Sequence, residues 1–265
     1  MAKPQLEIRT VNVTRYVTPL REGGSLPAIA EADDGFLYVL KFRGAGQGVK
    51  ALVADLIGGE LARLVGMKVP ELVFAQLDSA FGRTEPDEEI QELLRKSEGL
   101  NLALHFLSGA ISYDPAVNTI DPLTASKVVW LDALLTNVDR TARNTNMLMW
   151  NRQLWLIDHG ASLYFHHSWQ NWQEQSTRAF PAIRDHVLLN LASELDEADR
   201  ICHAMLNEER IDAVISLIPD DWLSDSVYAV PPSEARQVYR QFLINRIKAS
   251  SIFVKEAQHA RQSLV

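Results

Sequence analysis

The chain has 265 residues, 47% hydrophobic and 23% charged, the balance of a soluble globular protein with room for one large domain or two lobes sharing a cleft. Its 26 lysines and arginines against 34 aspartates and glutamates give a net charge of −8, which disfavours direct nucleic-acid binding and anionic lipid surfaces. With no long apolar run, no apolar leader and one cysteine (Cys202, read as a small core residue), neither a membrane span nor an oxidising compartment is expected, and the cytoplasm is the default location.

Val11 to Pro19 is rich in β-branched residues and reads as a strand. A turn follows over Arg21-Glu22-Gly23-Gly24-Ser25-Leu26-Pro27. Asp33-Asp34-Gly35 is a hairpin-type turn, and Phe36 to Phe42 is a second strand, broken by Gly44-Ala45-Gly46-Gln47-Gly48. Helical spacing of Leu52, Val53, Leu56, Ile57, Leu61, Leu64 and Val65 predicts a helix from about Val49 to Gly66, locally weakened by Gly58-Gly59. Pro70 to Leu77 is a strand candidate, Thr84 to Glu98 a charged surface helix, and Leu100 to Leu107 an apolar run of strand type. From Asp121-Pro122, a cap and first-turn pair, a helix runs over Ala125 to Asn137. Met147–Trp150 and Gln153–Ile157 form a short hairpin around Asn151-Arg152. Later helices are predicted near Pro181–Ala192, Leu195–Leu206 and Glu208–Leu217, with one long helix over Pro232 to Gln262. Strands first and helices after is an α+β pattern of two lobes rather than a βαβ alternation.

The chemistry-bearing segment is Asn137-Val138-Asp139-Arg140-Thr141-Ala142-Arg143-Asn144, an Asp followed five residues later by an Asn. The hairpin comes next, and then Ile157-Asp158-His159-Gly160. Phosphoryl transfer from ATP needs oxygen ligands for magnesium, a carboxylate to orient the acceptor hydroxyl, and a lysine on the α- and β-phosphates held by a helix acid. Asp139 suits the acceptor role, Asn144 and Asp158 the metal, and Lys41 the phosphates, with Asp55 or Glu60 as its partner. Each piece alone has an ordinary reading: a solvated strand lysine, a capped turn, a strand exit. The order of the pieces along two lobes is what carries the signal.

These residues resemble the HipA-like kinases, in Tyr38-Val39-Leu40-Lys41-Phe42, in Ala51 to Pro70 and in Asn137 to Asn144, and most of all the family's short, single-domain branch. The resemblance covers most of residues 10–165. It implies a two-lobed protein-kinase-like fold over one domain, 1–265, with a strand-rich N-terminal lobe to about 107 and a helical C-terminal lobe from about 108. It implies ATP and magnesium as cofactors and a protein Ser or Thr as acceptor. Lys41 then matches the ATP-binding lysine, Asp139 the catalytic aspartate, and Asn144 and Asp158 the metal ligands. Asp55 stands where the family usually has Glu, with Glu60 as the fallback. Gly23, Gly24 and Ser25 resemble the phosphate-gripping loop, and Ser25 a regulatory serine within it. Thr141 replaces a frequent His, and His159 stands where typical protein kinases have Phe. The toxins of this family carry an additional N-terminal segment that this chain is too short to include, and the resemblance admits an antitoxin-type partner without requiring one.

The alternatives are a non-catalytic nucleotide-binding scaffold, and a kinase-fold enzyme that transfers AMP or acts on a small molecule or lipid. A dinucleotide-binding reading of Gly44 to Gly48 fails because Val49 takes the third glycine position. His166-His167 with Trp169 and Trp172 read as a packed aromatic cluster, or as a substrate-facing loop after Asp158.

Overall fold

The structure, a computed structural model, describes residues 6–20, 26–81, 87–228 and 230–264. Gly23, Gly24 and Ser25 lie outside the described residues.

The N-terminal lobe is a closed five-stranded barrel with a helix beside it. Strands β1 (Thr10–Pro19), β2 (Ala28–Ala32) and β3 (Leu37–Lys41) pair antiparallel in sequence. Beyond them come α1 (Val49–Leu64), β4 (Leu72–Leu77), α2 (Glu88–Lys96) and β5 (Gly99–His105). The barrel order is β1-β2-β3-β5-β4, closed by a parallel β4–β1 pair. β2 is absent from the sequence reading because Ala-Ile-Ala-Glu-Ala has no strand-favouring composition. It forms a strand because Ala28, Ala30 and Ala32 all face a narrow interior, where their small size leaves room for Tyr38 and Leu40.

α1 belongs to the other lobe's core. Leu52, Val53, Leu56, Ile57 and Leu61 share one apolar cluster with the C-terminal helices, while the barrel interior forms a second cluster. The helix runs unbroken through Gly58-Gly59 and stops before Gly66, whose φ of 84° is the left-handed turn a glycine supplies.

The C-terminal lobe holds β6 (Ile111–Ser112), α3 (Pro122–Leu135) and the hairpin of β7 (Met147–Trp150) and β8 (Gln153–Leu156). After the hairpin come α4 (Trp172–Gln175), α5 (Leu195–Met205), α6 (Glu208–Ser216), α7 (Asp220–Leu223), α8 (Pro232–Lys248) and α9 (Ser250–Gln262). The Asp121 side chain caps α3 by accepting from the Thr124 N–H, 2.9 Å. At its far end, buried Arg246 of α8 donates Nε to the Leu134 carbonyl, 2.7 Å, and Nη2 to that of Ala133. Burial pushes this guanidinium down to about 10. Capping the last carbonyls of α3 fixes where the loop carrying Asp139 begins.

Two expected helices change. Pro181–Ala192 is a 3₁₀ turn over Pro181–Asp185 followed by extended backbone at His186, because the His186 ring is held by Asp132 of α3. The long Pro232–Gln262 helix is two, broken at Ala249, which lets α8 pack on α6 while α9 packs on α3 and α5. Among the described residues no helix is long and apolar enough to cross a membrane.

Candidate functional site

Lys41 is the last residue of β3, and its side chain leaves the barrel toward α1. Nζ lies 2.7 Å from Asp55 Oδ2 and 2.6 Å from Asp158 Oδ1. Asp55 Oδ1 accepts the His159 N–H at 2.6 Å, so the lysine, the helix acid and the segment after β8 close into one ring of contacts. Of the two acids left open by the sequence, Asp55 is the partner of Lys41. Glu60, about 140° further round the helix, meets Arg63 instead at 3.3 Å.

Charge in this ring is unevenly held. Burial alone would lower the Lys41 ammonium, but Asp158 and Asp55 outweigh it and hold the lysine above its usual range. The charge of Lys41 keeps Asp158 below the usual carboxylate range. Burial pushes Asp55 up to about 6, with the Asp158 charge adding to the effect and Lys41 opposing it. His159, also buried, is pushed down to about 3, mainly by desolvation, and its Nε2 has no partner among the described residues.

Asp158 takes the left-handed conformation, φ 53°, a strained choice for a non-glycine residue and one met at functional sites. Its side chain stays 40% exposed, so its carboxylate is open to the cleft.

Asp139 begins the loop after α3. Its Oδ2 accepts Asn144 Nδ2 at 2.6 Å and Asn146 Nδ2 at 3.1 Å. Asn146 is the residue the sequence reading missed, because the Asp-x4-Asn spacing stops at Asn144. Asn144 is exposed; Asn146 is buried, left-handed at φ 48°, and its carbonyl accepts the Ile157 N–H at 3.0 Å. Its place at the mouth of β7, in a conformation Asn tolerates, was the available signal.

Beneath the loop lies a buried network that sequence reasoning also missed. Arg140 Nε donates to Asp132 Oδ2 at 2.6 Å, and both side chains are 0% exposed. Asp132 also accepts Asn137 Nδ2 and His186 Nε2, each at 2.9 Å. The Leu188 N–H donates to His186 Nδ1, which leaves Nε2 as the ring's donor to Asp132. The Arg140 guanidinium also grips the Asn146 carbonyl. Thus α3, the Asp139 loop and the segment at His186 are tied at one carboxylate.

A pH prediction follows. Arg140 and His186 outweigh the burial cost and hold Asp132 far below its usual value. A depressed carboxylate contributes stability that is present above its unfolded value of about 3.9 and is lost as pH falls toward the folded value. Acid melts between pH 5 and pH 2 should therefore lose stability with a slope that Asp132→Asn flattens (that pH window is about the range of the linkage effect). An unchanged slope in the variant would remove Asp132 from the account.

Lys41, Asp158, Asn144 and Asn146 all line one cleft of about 1540 Å³ between the lobes. The cleft lining includes apolar side chains, with Val39 and Leu104 from the barrel, Met147 and Leu148 from the hairpin and Ile157 just after it. Arg143 also lines it. His166 is outside this arrangement. It is buried, bonded through Nδ1 to Tyr239 OH at 3.0 Å and packed against Phe165, as the aromatic-cluster reading expects. Among the described residues no three His, Cys, Asp or Glu side chains converge as a metal site. The oxygen donors Asp158, Asn144 and Asn146 still fit magnesium, which takes one or two carboxylates and fills its shell with phosphate and water.

The fold has solved relatives. The proinflammatory kinase CtkA of Helicobacter pylori aligns with 97% of this chain and 99% of its own at 14% identity and a TM-score of 0.57. A Golgi casein kinase, solved with Mn and ADP, aligns with 97% of this chain and 75% of its own at 11% identity and a TM-score of 0.50. At such identities the likeness is one of fold, a two-lobed kinase fold. No curated protein matches the chain. The family model for HipA-like kinases matches residues 13–252. Because that match begins in the first strand of the barrel and ends in the last helix, the chain belongs to the HipA-like kinase family.

Proposed function

We propose that this kinase-type phosphotransferase binds ATP with magnesium in the interlobe cleft and transfers the γ-phosphoryl group to a protein Ser or Thr hydroxyl. The observation that carries the reading is one cleft lined by Lys41, which Asp55 holds, by Asp158, and by Asn144, whose amide bonds Asp139. Lys41 meets the α- and β-phosphates, and Asp55 holds it there. Asp158 and Asn144, with Asn146 as a second amide, hold the metal, whose chemistry when bound is to neutralise the phosphate oxygens. Asp139 orients the acceptor hydroxyl and receives its proton as the new O–P bond forms and the bond to ADP breaks. The apolar side chains of the cleft lining suit the adenine ring. The protein acceptor and the single-domain extent, 1–265, rest on the family.

ATP labelled at the γ- or the α-phosphate, offered with magnesium and a lysate, tests this. Label on protein from the γ position alone is the expected result. Label from the α position alone would replace the reading by AMP transfer. A melting temperature unmoved by millimolar ATP and magnesium would remove the nucleotide site. Ligand at about a hundred times its dissociation constant adds about 2.7 kcal/mol.

The two asparagines give the same magnesium titration and separate in melting temperature. Asn146→Ala should raise the magnesium needed for half-maximal labelling by about 10- to 100-fold, the usual effect of losing a group that orients a metal site. Asn144→Ala should do the same with the melting temperature unchanged, because Asn144 is exposed whereas Asn146 is built into the loop.

A further inference from the structure

Two departures from the kinase pattern meet in space. Asp55 is one methylene shorter than the usual Glu, and His159 replaces the usual Phe. Between them lies Gly58, three residues after Asp55 and so on the same face of α1. A Cβ built on Gly58 would stand 2.5 Å from His159 Cβ, 2.7 Å from Cγ and 3.0 Å from Cδ2. Ordinary carbon contacts are at about 3.5–4.0 Å. The helix therefore sits about 1 Å closer to the His159 ring than any side-chain-bearing residue would allow.

The same face makes the neighbouring contacts. A Cβ on Gly160 would lie 3.1 Å from Asp55 Oδ2 and 3.7 Å from Ala51 Cβ, so the backbone after Asp158 also presses on α1. In the first turn of α1, Lys50 Nζ donates to the His166 carbonyl at 2.5 Å. On the far side Gly59 meets Leu72 of β4, where a Cβ would be 2.8 Å from Cδ1. The two glycines that weaken the helix by propensity are the two places where it is pressed from both sides.

We infer that His159 is a positioning residue: seated on Gly58, its ring sets the spacing between α1 and the Asp158 segment at which the short Asp55 carboxylate reaches both Lys41 Nζ and the His159 N–H. At that spacing an aspartate spans a gap that a glutamate would overfill. The inference rests on the phosphoryl-transfer reading for its consequence, since the ring so spaced is the one that presents Lys41 and Asp158 to the nucleotide.

The test is a rescue. Gly58→Ala should push α1 away by about 1 Å and lower γ-label transfer by about 10²-fold, the scale of such a displacement. Asp55→Glu alone should also lower transfer, despite keeping the charge. Together, Gly58→Ala/Asp55→Glu should recover at least about tenfold over Gly58→Ala, equivalent to about 1.4 kcal/mol. Should Gly58→Ala fail to fold, His159→Phe supplies a bulkier ring at the same contact, and His159→Phe/Asp55→Glu should recover likewise. Losses that add, with no recovery in either pair, overturn the inference.

A second readout needs no turnover. The rate at which an amine-acylating reagent modifies Lys41, followed by peptide mass spectrometry, should rise about tenfold in Gly58→Ala and fall back in the double variant. Protection that returns in a chain with no γ-transfer would support the spacing and reject the kinase reading. Wild-type γ-transfer without return of protection would do the reverse.

Discussion

Asp139→Asn is expected to lower γ-phosphoryl transfer by roughly 10²–10⁴-fold, the usual contribution of a positioned proton acceptor, while leaving fold and nucleotide binding in place. The local geometry makes this substitution clean. Both amide donors, Asn144 Nδ2 and Asn146 Nδ2, point at the same atom, Asp139 Oδ2. An asparagine can put its carbonyl oxygen there and keep both bonds. What it loses is the negative charge and the second oxygen, the part of the side chain left for an acceptor hydroxyl. The checks are γ-label turnover and the melting shift with ATP and magnesium. Turnover within a few-fold of wild type would take Asp139 out of the reaction.

Arg140→Leu should be the most damaging change outside the cleft, destabilising by about 3–5 kcal/mol, as expected when one partner of a buried ion pair is removed. Asp132 would then be left buried with Asn137 and His186 as its side-chain donors among the described residues. The Asn146 carbonyl would lose its guanidinium as well. For a chain of this size the melting temperature should fall by roughly 10 °C. The double variant Arg140→Leu/Asp132→Leu should regain part of the loss, because no uncompensated charge remains. Urea melts of the three chains decide it. If the double variant is as unstable as the sum of its parts, the penalty comes from packing rather than from the orphaned carboxylate.

The legible parts of the sequence were those written in local pattern. β3 is a run of strand-favouring apolar residues and α1 carries helical spacing, and both stand within two residues of where the pattern puts them. Asp121-Pro122 starts α3 as a cap and first turn should. β2 was illegible because its alanines are chosen for a narrow barrel interior, not for strand propensity. The break at Ala249 was illegible because it serves the packing of α8 and α9 on different neighbours. The pull of Asp132 on His186 likewise overrides a helical pattern near Pro181.

By itself the sequence determined that a strand lysine, an Asp-x4-Asn loop and an Asp-x-Gly turn follow one another in a strand-then-helix chain, because each is a local signal of a few residues. Only the tertiary structure decided that Asp55 rather than Glu60 meets Lys41, that Asn146 joins Asn144 on Asp139, and that Gly58 is a seat for His159 rather than a flaw in the helix. Each of these is a distance between elements far apart in sequence. Such distances are set by how closely α1 can approach the Asp158 segment, which depends on packing on both faces of the helix and leaves no local mark.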